Sequence, residues 1–263
     1  MIRRFLRRKT SGILPGSLTC LLLAFCLTAP TLGEEAVVAV AANFSEVAEQ
    51  LEALYEQDSG HRLTLVTGST GKLYAQIGNG APFDVFLAAD QARPERLEGE
   101  GLAVAGSRFT YATGRLTLWS PEPGRIGSDG AATLRQGNFR LLAIANPDLA
   151  PYGAAAQQTL KNLGLWESLK GRLVMGQTIG QAHAQVASGN AELGFVALSY
   201  VISPRNESPG SRWDVPADLY TPIHQDGVLL KRGASNPAAR GFLGFLRSEK
   251  ARILIEAYGY AVE

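Results

Sequence analysis

Residues 36–42 read AVVAVAA, and residues 46–57 read EVAEQLEALYEQ. The first stretch is continuously apolar and predicts a buried β-strand, whereas apolar residues recur at helical spacing from Val47 to Tyr55 in the second. A buried strand that runs directly into an amphipathic helix is the repeating unit of α/β proteins. The start of the chain therefore predicts that fold class.

The rest of the chain repeats this alternation. Further strands are predicted at residues 62–66, 84–89, 115–119, 141–145, 172–175, 193–198 and 227–230. Helices are predicted at 72–77, 154–163 and 181–188, with a pair of helices at 237–258. Alternating strands and helices favour mostly parallel sheets flanked by helices. The polar stretch SPRNESPGSR at 203–212 predicts an exposed loop.

Residues 1–33 have the pattern of a cleaved secretory signal peptide. An apolar run at 18–27 follows a basic head, and small residues such as Gly33 end the segment. The alternative is a membrane anchor, but the run is shorter than the ~20 residues that a spanning helix needs. We therefore expect an exported, periplasmic protein. The basic residues of the head are Arg3, Arg4, Arg7, Arg8 and Lys9.

Removal of this segment changes the composition of the 263-residue chain. Both cysteines, Cys20 and Cys26, leave with it, so disulfides, thiolate metal sites and cysteine nucleophiles are excluded together. The formal charge changes from +1 to −4, because five of the 25 basic residues leave and all 24 acidic residues stay. A mildly acidic surface argues against nucleic acid as a partner.

Three segments combine a strand end, small or hydrogen-bonding residues and a helix start. They are Ala41–Ser45, Thr67–Gly71 and Ala150–Gly153. A helix start leaves backbone N–H groups unpaired and carries partial positive charge, so several starts at one cleft can bind an oxyanion without lysine or arginine. The alternative is that each is an ordinary capped helix start, and Asn43 with Glu46 fits such a capping pair.

Catalytic interpretations find less support in the residues. Residues 68–73 (GSTGKL) resemble the end of a phosphate-binding loop, but Val66 stands at the leading glycine and Leu73 at the required hydroxyl residue. The three histidines are scattered without metal-ligand spacing. Asp84 and Asp90 bracket a predicted strand, where structural roles are more common than acid–base chemistry. We therefore expect a binding protein rather than an enzyme.

Five segments resemble the molybdate-binding proteins of ABC importers. In order, they are AANFSEVAEQL (41–51), GSTGKLYAQIGNGAPFDVFLAAD (68–90), IANPDLAPYGAAAQQTL (144–160), GNAELGFVALS (189–199) and FLRSEKARILIEAYGY (245–260). The resemblance implies a two-lobed periplasmic-binding-protein fold of type II, in which two chain crossings form a hinge. Lobe 1 would comprise residues 34–114 plus 225–263, and lobe 2 residues 115–224.

The resemblance also implies a ligand set for molybdate or tungstate, held as an oxyanion without direct bonds from protein to metal. Asn43 would donate from its side chain, Ser69 or Thr70 from a hydroxyl, and Tyr152 and Ile179 from backbone N–H groups. One position departs from the family pattern. Many relatives have a tyrosine donor where this chain has Ala197. Either Tyr152 supplies a hydroxyl instead, or the site makes fewer side-chain bonds.

The partners implied are the oxyanion and the permease of an ABC importer, with the protein acting as a monomer without a cofactor. Three alternatives stay open. The first is a protein of the same fold that binds another oxyanion, such as sulfate or phosphate. The second is an extracytoplasmic enzyme for a small anion, and the third is a sensory module without a transporter.

Overall fold

The computed structural model describes residues 33–262, so the predicted signal peptide lies outside the described residues except for Gly33. The strands are β1 (Glu35–Ala41), β2 (Arg62–Gly68), β3 (Val85–Leu87), β4 (Phe109–Gly114), β5 (Leu116–Ser120), β6 (Leu142–Ala145), β7 (Leu173–Gly176), β8 (Leu193–Ala197), β9 (Ser211–Asp214) and β10 (Ile223–Leu229). The α-helices are α1 (Ser45–Ser59), α2 (Thr70–Gly78), α3 (Ala92–Gly99), α4 (Gly130–Gln136), α5 (Pro151–Asn162), α6 (Trp166–Leu169), α7 (Ile179–Ala187), α8 (Leu198–Ile202), α9 (Pro237–Phe245) and α10 (Glu249–Ala257).

The strands form two five-stranded sheets of the same topology. The first sheet has the order β2-β1-β3-β10-β4, and the second has the order β7-β6-β8-β5-β9. In the first, β2 and β3 pair in parallel with β1, while β10 runs antiparallel between β3 and β4. In the second, β7 and β8 pair in parallel with β6, while β5 runs antiparallel between β8 and β9. Each sheet therefore has one reversed strand, and the predicted α/β fold with mostly parallel sheets is confirmed.

The chain crosses between the sheets twice, and the two crossings lie close together. Arg115 is the single residue between β4 and β5, and residues 215–222 join β9 to β10. Ile223 at the start of β10 pairs with Gly114 at the end of β4, so both crossings leave the first sheet at the same place. In each sheet the reversed strand is the one that directly follows a crossing.

Hydrophobic packing follows this division. One large buried cluster packs α1, α9 and α10 against one face of the first sheet, around Phe44, Leu51 and Phe242. Another fills the second sheet around Leu142, Phe195 and Leu160, and includes Ala41, Ala42 and Ala89 from the first. The ends of the two sheets are thus in direct contact. Among residues 33–262, no helix is both long and apolar enough to cross a bilayer.

Candidate functional site

One small cavity brings together the five residues that the sequence selected. It is lined by Ala41, Ala42, Asn43, Ser69, Thr70, Ala89, Ala150, Pro151, Tyr152 and Ile179. The space that it encloses is only about 10 Å³, close to what a single water molecule needs, so its walls are almost in contact. None of the ten lining residues carries a charged side chain. A ligand bound between these walls would therefore be small and held by neutral groups.

The cavity lies between the carboxyl ends of the parallel strands of the two sheets. The ends of β1, β2 and β3 supply one wall, and the segments that follow β6 and β7 supply the other. The carboxyl edge of such a sheet is where α/β proteins bind ligands. Four helix starts meet here: the 3₁₀ turn Ala42–Phe44 that leads into α1, and the first residues of α2, α5 and α7. Their dipoles all place partial positive charge at the cavity.

Ser69 and Thr70 differ in how their hydroxyl groups are engaged. Both residues are almost fully buried, with 3% and 1% exposure. Thr70 Oγ1 accepts a hydrogen bond from the backbone N–H of Ala89 at 3.1 Å, which ties the start of α2 to the segment after β3. Ser69 Oγ is buried without a hydrogen-bond partner, although Ser69 occupies the N-cap position of α2. An unpaired buried hydroxyl costs about 1–3 kcal/mol, so a ligand that accepts its hydrogen would recover this free energy.

Asn43 lines the cavity, but its side chain is engaged within the protein. Its Nδ2 donates to Gln225 Oε1 at 2.8 Å and to the Tyr260 hydroxyl at 3.2 Å. Because an amide NH₂ has two hydrogens, neither is left for a ligand. The predicted capping pair with Glu46 is wrong, since the start of α1 has no side-chain cap and Glu46 instead accepts a hydrogen bond from Ser203.

Tyr152 is the second residue of α5, after Pro151, and its ring is buried. Its hydroxyl lies near the crossings and accepts a hydrogen bond from Gln225 Nε2 at 3.5 Å. We therefore do not expect this hydroxyl to bind an anion. A Cβ atom on Gly114 would lie 2.0 Å from this oxygen, so the close approach requires glycine. Burial raises the pKa of Tyr152 well above its ordinary value and keeps the hydroxyl protonated. What Tyr152 offers the cavity is its backbone N–H, which has no partner inside the helix.

Ile179 is the first residue of α7, and the helix start is well capped. Thr178 Oγ1 accepts from the N–H of Gln181 at 3.1 Å, and Gln181 Oε1 accepts from the N–H of Gln177 at 2.7 Å. This arrangement resembles a capping box. The caps use the N–H groups of Gln177 and Gln181, and they leave the N–H of Ile179 at the cavity unused. The T-x-x-Q pattern at 178–181 was a sequence signal for this start.

Ala197 ends β8, where many relatives were expected to have a tyrosine donor. It is fully buried and supplies no polar group. Hydroxyl groups follow two and three residues later, at Ser199 and Tyr200 in α8. Both donate to carbonyls beside the cavity, those of Asn43 and Ala42 respectively. Sequence reasoning missed these two residues, together with Gln225 and Tyr260, because their partners are more than 60 residues away in the chain.

The acidic pair proposed for the enzymatic alternative is engaged elsewhere. Asp84 accepts from the backbone N–H of Val37 at 2.8 Å and from Arg232 at 2.6 Å. Asp90 pairs with Arg93 at the start of α3. Neither carboxylate lines the cavity. Within residues 33–262, no group of three or more His, Cys, Asp or Glu side chains is placed to hold a metal ion.

Two sheets of matching topology, joined by two crossings and enclosing a small cavity of helix starts, define the class of two-lobed solute-binding proteins. Comparison with known proteins agrees with this class. The sequence profile of the family described as "Bacterial extracellular solute-binding protein" matches residues 36–261.

Individual relatives are more specific. The chain is 53% identical to the molybdate-binding protein ModA of Azotobacter vinelandii over 229 residues, which is 87% of this chain and 90% of that protein. It is 47% identical to ModA of Rhodobacter capsulatus, covering 93% and 95% of the two chains. The solved structure of an Azotobacter vinelandii periplasmic molybdate-binding protein superposes with a TM-score of 0.83 at 43% identity, covering 87% of this chain and 99% of that one. The chain therefore belongs to the bacterial extracellular solute-binding protein family, in the group that contains the ModA proteins.

Proposed function

We propose that this protein captures molybdate or tungstate in the cavity between its two sheets and delivers the oxyanion to an ABC importer. The observation that carries this proposal is the unpaired, buried Ser69 hydroxyl in an uncharged cavity where four helix starts meet. The backbone N–H groups of these helix starts can only donate, and the hydroxyl groups can donate as well, so the set as a whole favours a fully deprotonated anion. The relatives with 53% and 47% identity support the choice of molybdate.

The proposed ligand set is a revision of the one expected from sequence. Ser69 donates from its hydroxyl, and Thr70 can donate its own hydrogen because its oxygen only accepts from Ala89. Tyr152 and Ile179 donate backbone N–H groups. Asn43 contributes its backbone N–H at the turn after β1, since both hydrogens of its side-chain amide are used inside the protein.

The number of donors is sufficient for tight binding. A hydrogen bond to a charged group contributes about 1.5–3 kcal/mol. Five to seven such bonds give on the order of 10–20 kcal/mol, from which desolvation of the anion, lost motion and lobe closure subtract. A net free energy of about −8 to −12 kcal/mol corresponds to micromolar to nanomolar affinity.

Selectivity has two physical sources in this site. A protonated phosphate presents an O–H group, which the backbone N–H groups cannot accept, so a contact between the two stays unpaired. Sulfate is fully deprotonated, so it has to be rejected by size, because its oxygens lie closer to the central atom. A tight cavity between two packed sheets supports such a discrimination.

The wider function includes release as well as capture. We propose that the crossings at residue 115 and at 215–222 act as the hinge between lobe 1 (34–114 plus 225–263) and lobe 2 (115–224). Strand β10 of the first sheet begins at Ile223, two residues before residue 225, where lobe 1 was expected to resume. Opening at this hinge would release the anion to the permease. We further propose that the protein works in the periplasm as a monomer, without a cofactor and without catalytic turnover.

Isothermal titration of the purified exported protein with molybdate, tungstate, sulfate and phosphate tests the proposal. We expect submicromolar binding of the first two anions and affinity at least about 100-fold weaker for sulfate and phosphate. Equal affinity for sulfate would contradict the size argument and favour a carrier of another oxyanion. Turnover of a small anion that is lost in Asp84→Asn would instead favour the enzymatic alternative.

A further inference from the structure

Helix α8 of the second sheet reaches directly to the turn after β1 of the first. The Tyr200 hydroxyl donates to the carbonyl of Ala42, and Ser199 Oγ donates to the carbonyl of Asn43 at 3.1 Å. Tyr260 also donates to the Asn43 carbonyl, at 2.6 Å. Ala42 and Asn43 both line the cavity. The outer side of this turn is thus bonded to hydroxyl groups, while its inner side faces the ligand site.

The two sides of the turn are linked through planar peptide groups. The carbonyl of Ala42 and the N–H of Asn43 belong to one peptide group, whose resonance couples the two ends. A donor at the carbonyl oxygen therefore makes the N–H more polar, as in chains of cooperative hydrogen bonds. The carbonyl of Asn43 and the N–H of Phe44 form the next peptide group. Tyr200 acts on the first of these groups, beside the hydroxyl and backbone N–H of Ser45, which also donate to the Ala42 carbonyl. Ser199 and Tyr260 act on the second.

The ring of Tyr200 is held firmly enough to define the position of its hydroxyl. It stacks on His183 with ring centroids 5.0 Å apart, and His183 stacks in turn on Trp119 at 4.9 Å. A Cβ atom on Gly180 would lie 3.1 Å from the Tyr200 oxygen, so the hydroxyl also lies close to the start of α7. Burial raises the pKa of Tyr200, and the hydroxyl therefore stays protonated and able to donate.

We propose that Tyr200 is a positioning residue for the bound anion. Through the carbonyl of Ala42, its hydroxyl orients and polarises the N–H of Asn43. The same hydrogen bond holds the second sheet against the first. Tyr200 replaces, through a peptide group, the direct hydroxyl donor that is missing at Ala197. This inference rests on the proposed function, because it assigns a role in binding the same oxyanion.

The test uses Tyr200→Phe, which removes the hydroxyl and keeps the stacked ring. We expect the dissociation constant for molybdate to rise about 3- to 10-fold, the effect of one neutral hydrogen bond. The rise should come from faster dissociation of the anion. The ¹⁵N chemical shift of the Asn43 amide in the complex should also move, because this shift responds to hydrogen bonding at the preceding carbonyl. Ser199→Ala is the second variant and should move the Phe44 amide instead.

Tyr55→Phe is the matched control. Its hydroxyl is a buried donor to a backbone carbonyl, that of Ala238 at 2.9 Å, but it lies remote from the cavity. This control should lower the melting temperature and leave the affinity unchanged.

Wild-type affinity and an unmoved Asn43 amide in Tyr200→Phe would overturn the inference while the proposed function stands. A weaker affinity without any shift of the Asn43 amide would also overturn it, because the hydroxyl would then act on stability alone. If the wild-type protein bound neither molybdate nor tungstate, the titration of that protein by itself would refute the proposed function, and the inference with it.

Discussion

The two walls of the cavity use different chemistry although the two sheets share one topology. The wall from the first sheet presents the hydroxyl groups of Ser69 and Thr70. The wall from the second sheet presents Tyr152 and Ile179, whose proposed contributions are backbone N–H groups in the first turns of α5 and α7. A shared topology thus fixes where the donors lie, but it does not fix whether a donor belongs to a side chain or to the main chain.

The difference has a consequence for substitution. A side-chain donor is lost with one change, whereas a main-chain donor survives every substitution except proline. The side chains of the second wall have structural roles instead. The Tyr152 ring packs on Gly114, and the Thr178 and Gln181 side chains cap α7. We therefore expect the two walls to respond differently to mutation.

The largest expected effect on affinity comes from Ile179→Pro. Proline is favoured at the first position of a helix and removes only the N–H group, and Thr178 already has the extended backbone that precedes proline, with ψ of 163°. Loss of one N–H bond to the anion should weaken binding by about 1.5–3 kcal/mol, or about 10- to 100-fold. Titration calorimetry with molybdate measures this change.

Ile179→Ala is the control for Ile179→Pro, since it also loses the buried side chain but keeps the N–H group. The extra loss of affinity in the proline variant is the contribution of the main-chain donor. If both variants lost the same affinity, Ile179 would act through packing alone.

The next effect in size is expected for Ser69→Ala. The variant loses a hydroxyl donor to the anion, and we expect molybdate affinity to fall about 10-fold. The ligand-free protein should keep its stability or gain some, because an unpaired buried hydroxyl is removed. Titration calorimetry measures the change in affinity, and the melting temperature of the ligand-free protein measures the change in stability.

Ser248→Ala is the matched change for Ser69→Ala. Ser248 is also an N-cap serine, but its hydroxyl accepts from the N–H of Ala251 at 3.2 Å. Its loss should cost about 1 kcal/mol of stability and leave affinity unchanged. The opposite result, with stability lost in Ser69→Ala and affinity retained, would remove Ser69 from the ligand set.

A smaller effect is expected for Asn43→Ala. The family resemblance implied a direct side-chain donor here, whereas in the structure the amide donates to Gln225 and Tyr260. Affinity should fall only about 3- to 5-fold, through loss of order in the turn, and the change should be non-additive with Gln225→Ala in a double-mutant cycle. If Asn43→Ala lost more affinity than Ser69→Ala, the Asn43 side chain would have to be a direct donor to the ligand.

The smallest effect on binding is expected for Glu192→Gln, which alters the stability of the second sheet with pH. Burial opposes ionisation of Glu192, but the N–H of Leu141 and the side chain of Arg140 together lower its pKa from 4.5 to about 2. An acid with a lowered folded-state pKa stabilises the fold above its unfolded pKa, and this contribution disappears as the pH falls from 4.5 toward 2.

The melting temperature of Glu192→Gln should therefore lie below that of the wild-type protein at pH 6, and the two should converge below pH 4. Glu167→Gln, which removes the charge of an exposed glutamate paired with Lys170, is the control. A constant difference at every pH would mean that the side-chain shape, and not the charge, is what matters.

The sequence carried most of the fold because its central strands are continuous apolar runs. β6 and β8 are buried along their length and β1 over its last four residues, and all three were predicted within one residue at each end. β4 and β9 were missed. Both are the edge strands beside the crossings. In β9, half-buried and exposed residues alternate over only four positions, SRWD, so the stretch has the pattern of a polar loop.

The site was predictable to the extent that its donors are local. Helix starts at Ser69, Tyr152 and Ile179 are visible as strand ends followed by helical periodicity or as family segments, and all of them line the cavity. The engagement of Asn43 was not predictable from spacing, because its partner Gln225 lies 182 residues away and reaches it only through the pairing of β10 with β3 and β4.

The position of β10 also bears on the order in which the molecule can fold. It hydrogen-bonds to both β3 and β4, yet more than a hundred residues separate its first residue, Ile223, from the end of β4 at Gly114. Strands β5 to β9 follow one another without interruption and can assemble by themselves, whereas the first sheet has a gap until the C-terminal segment arrives. Non-local pairing of this kind is slow. Under the proposed export with the N-terminus leading, we expect β4 to lack its strand partner until the C-terminal segment that contains β10 has also been translocated.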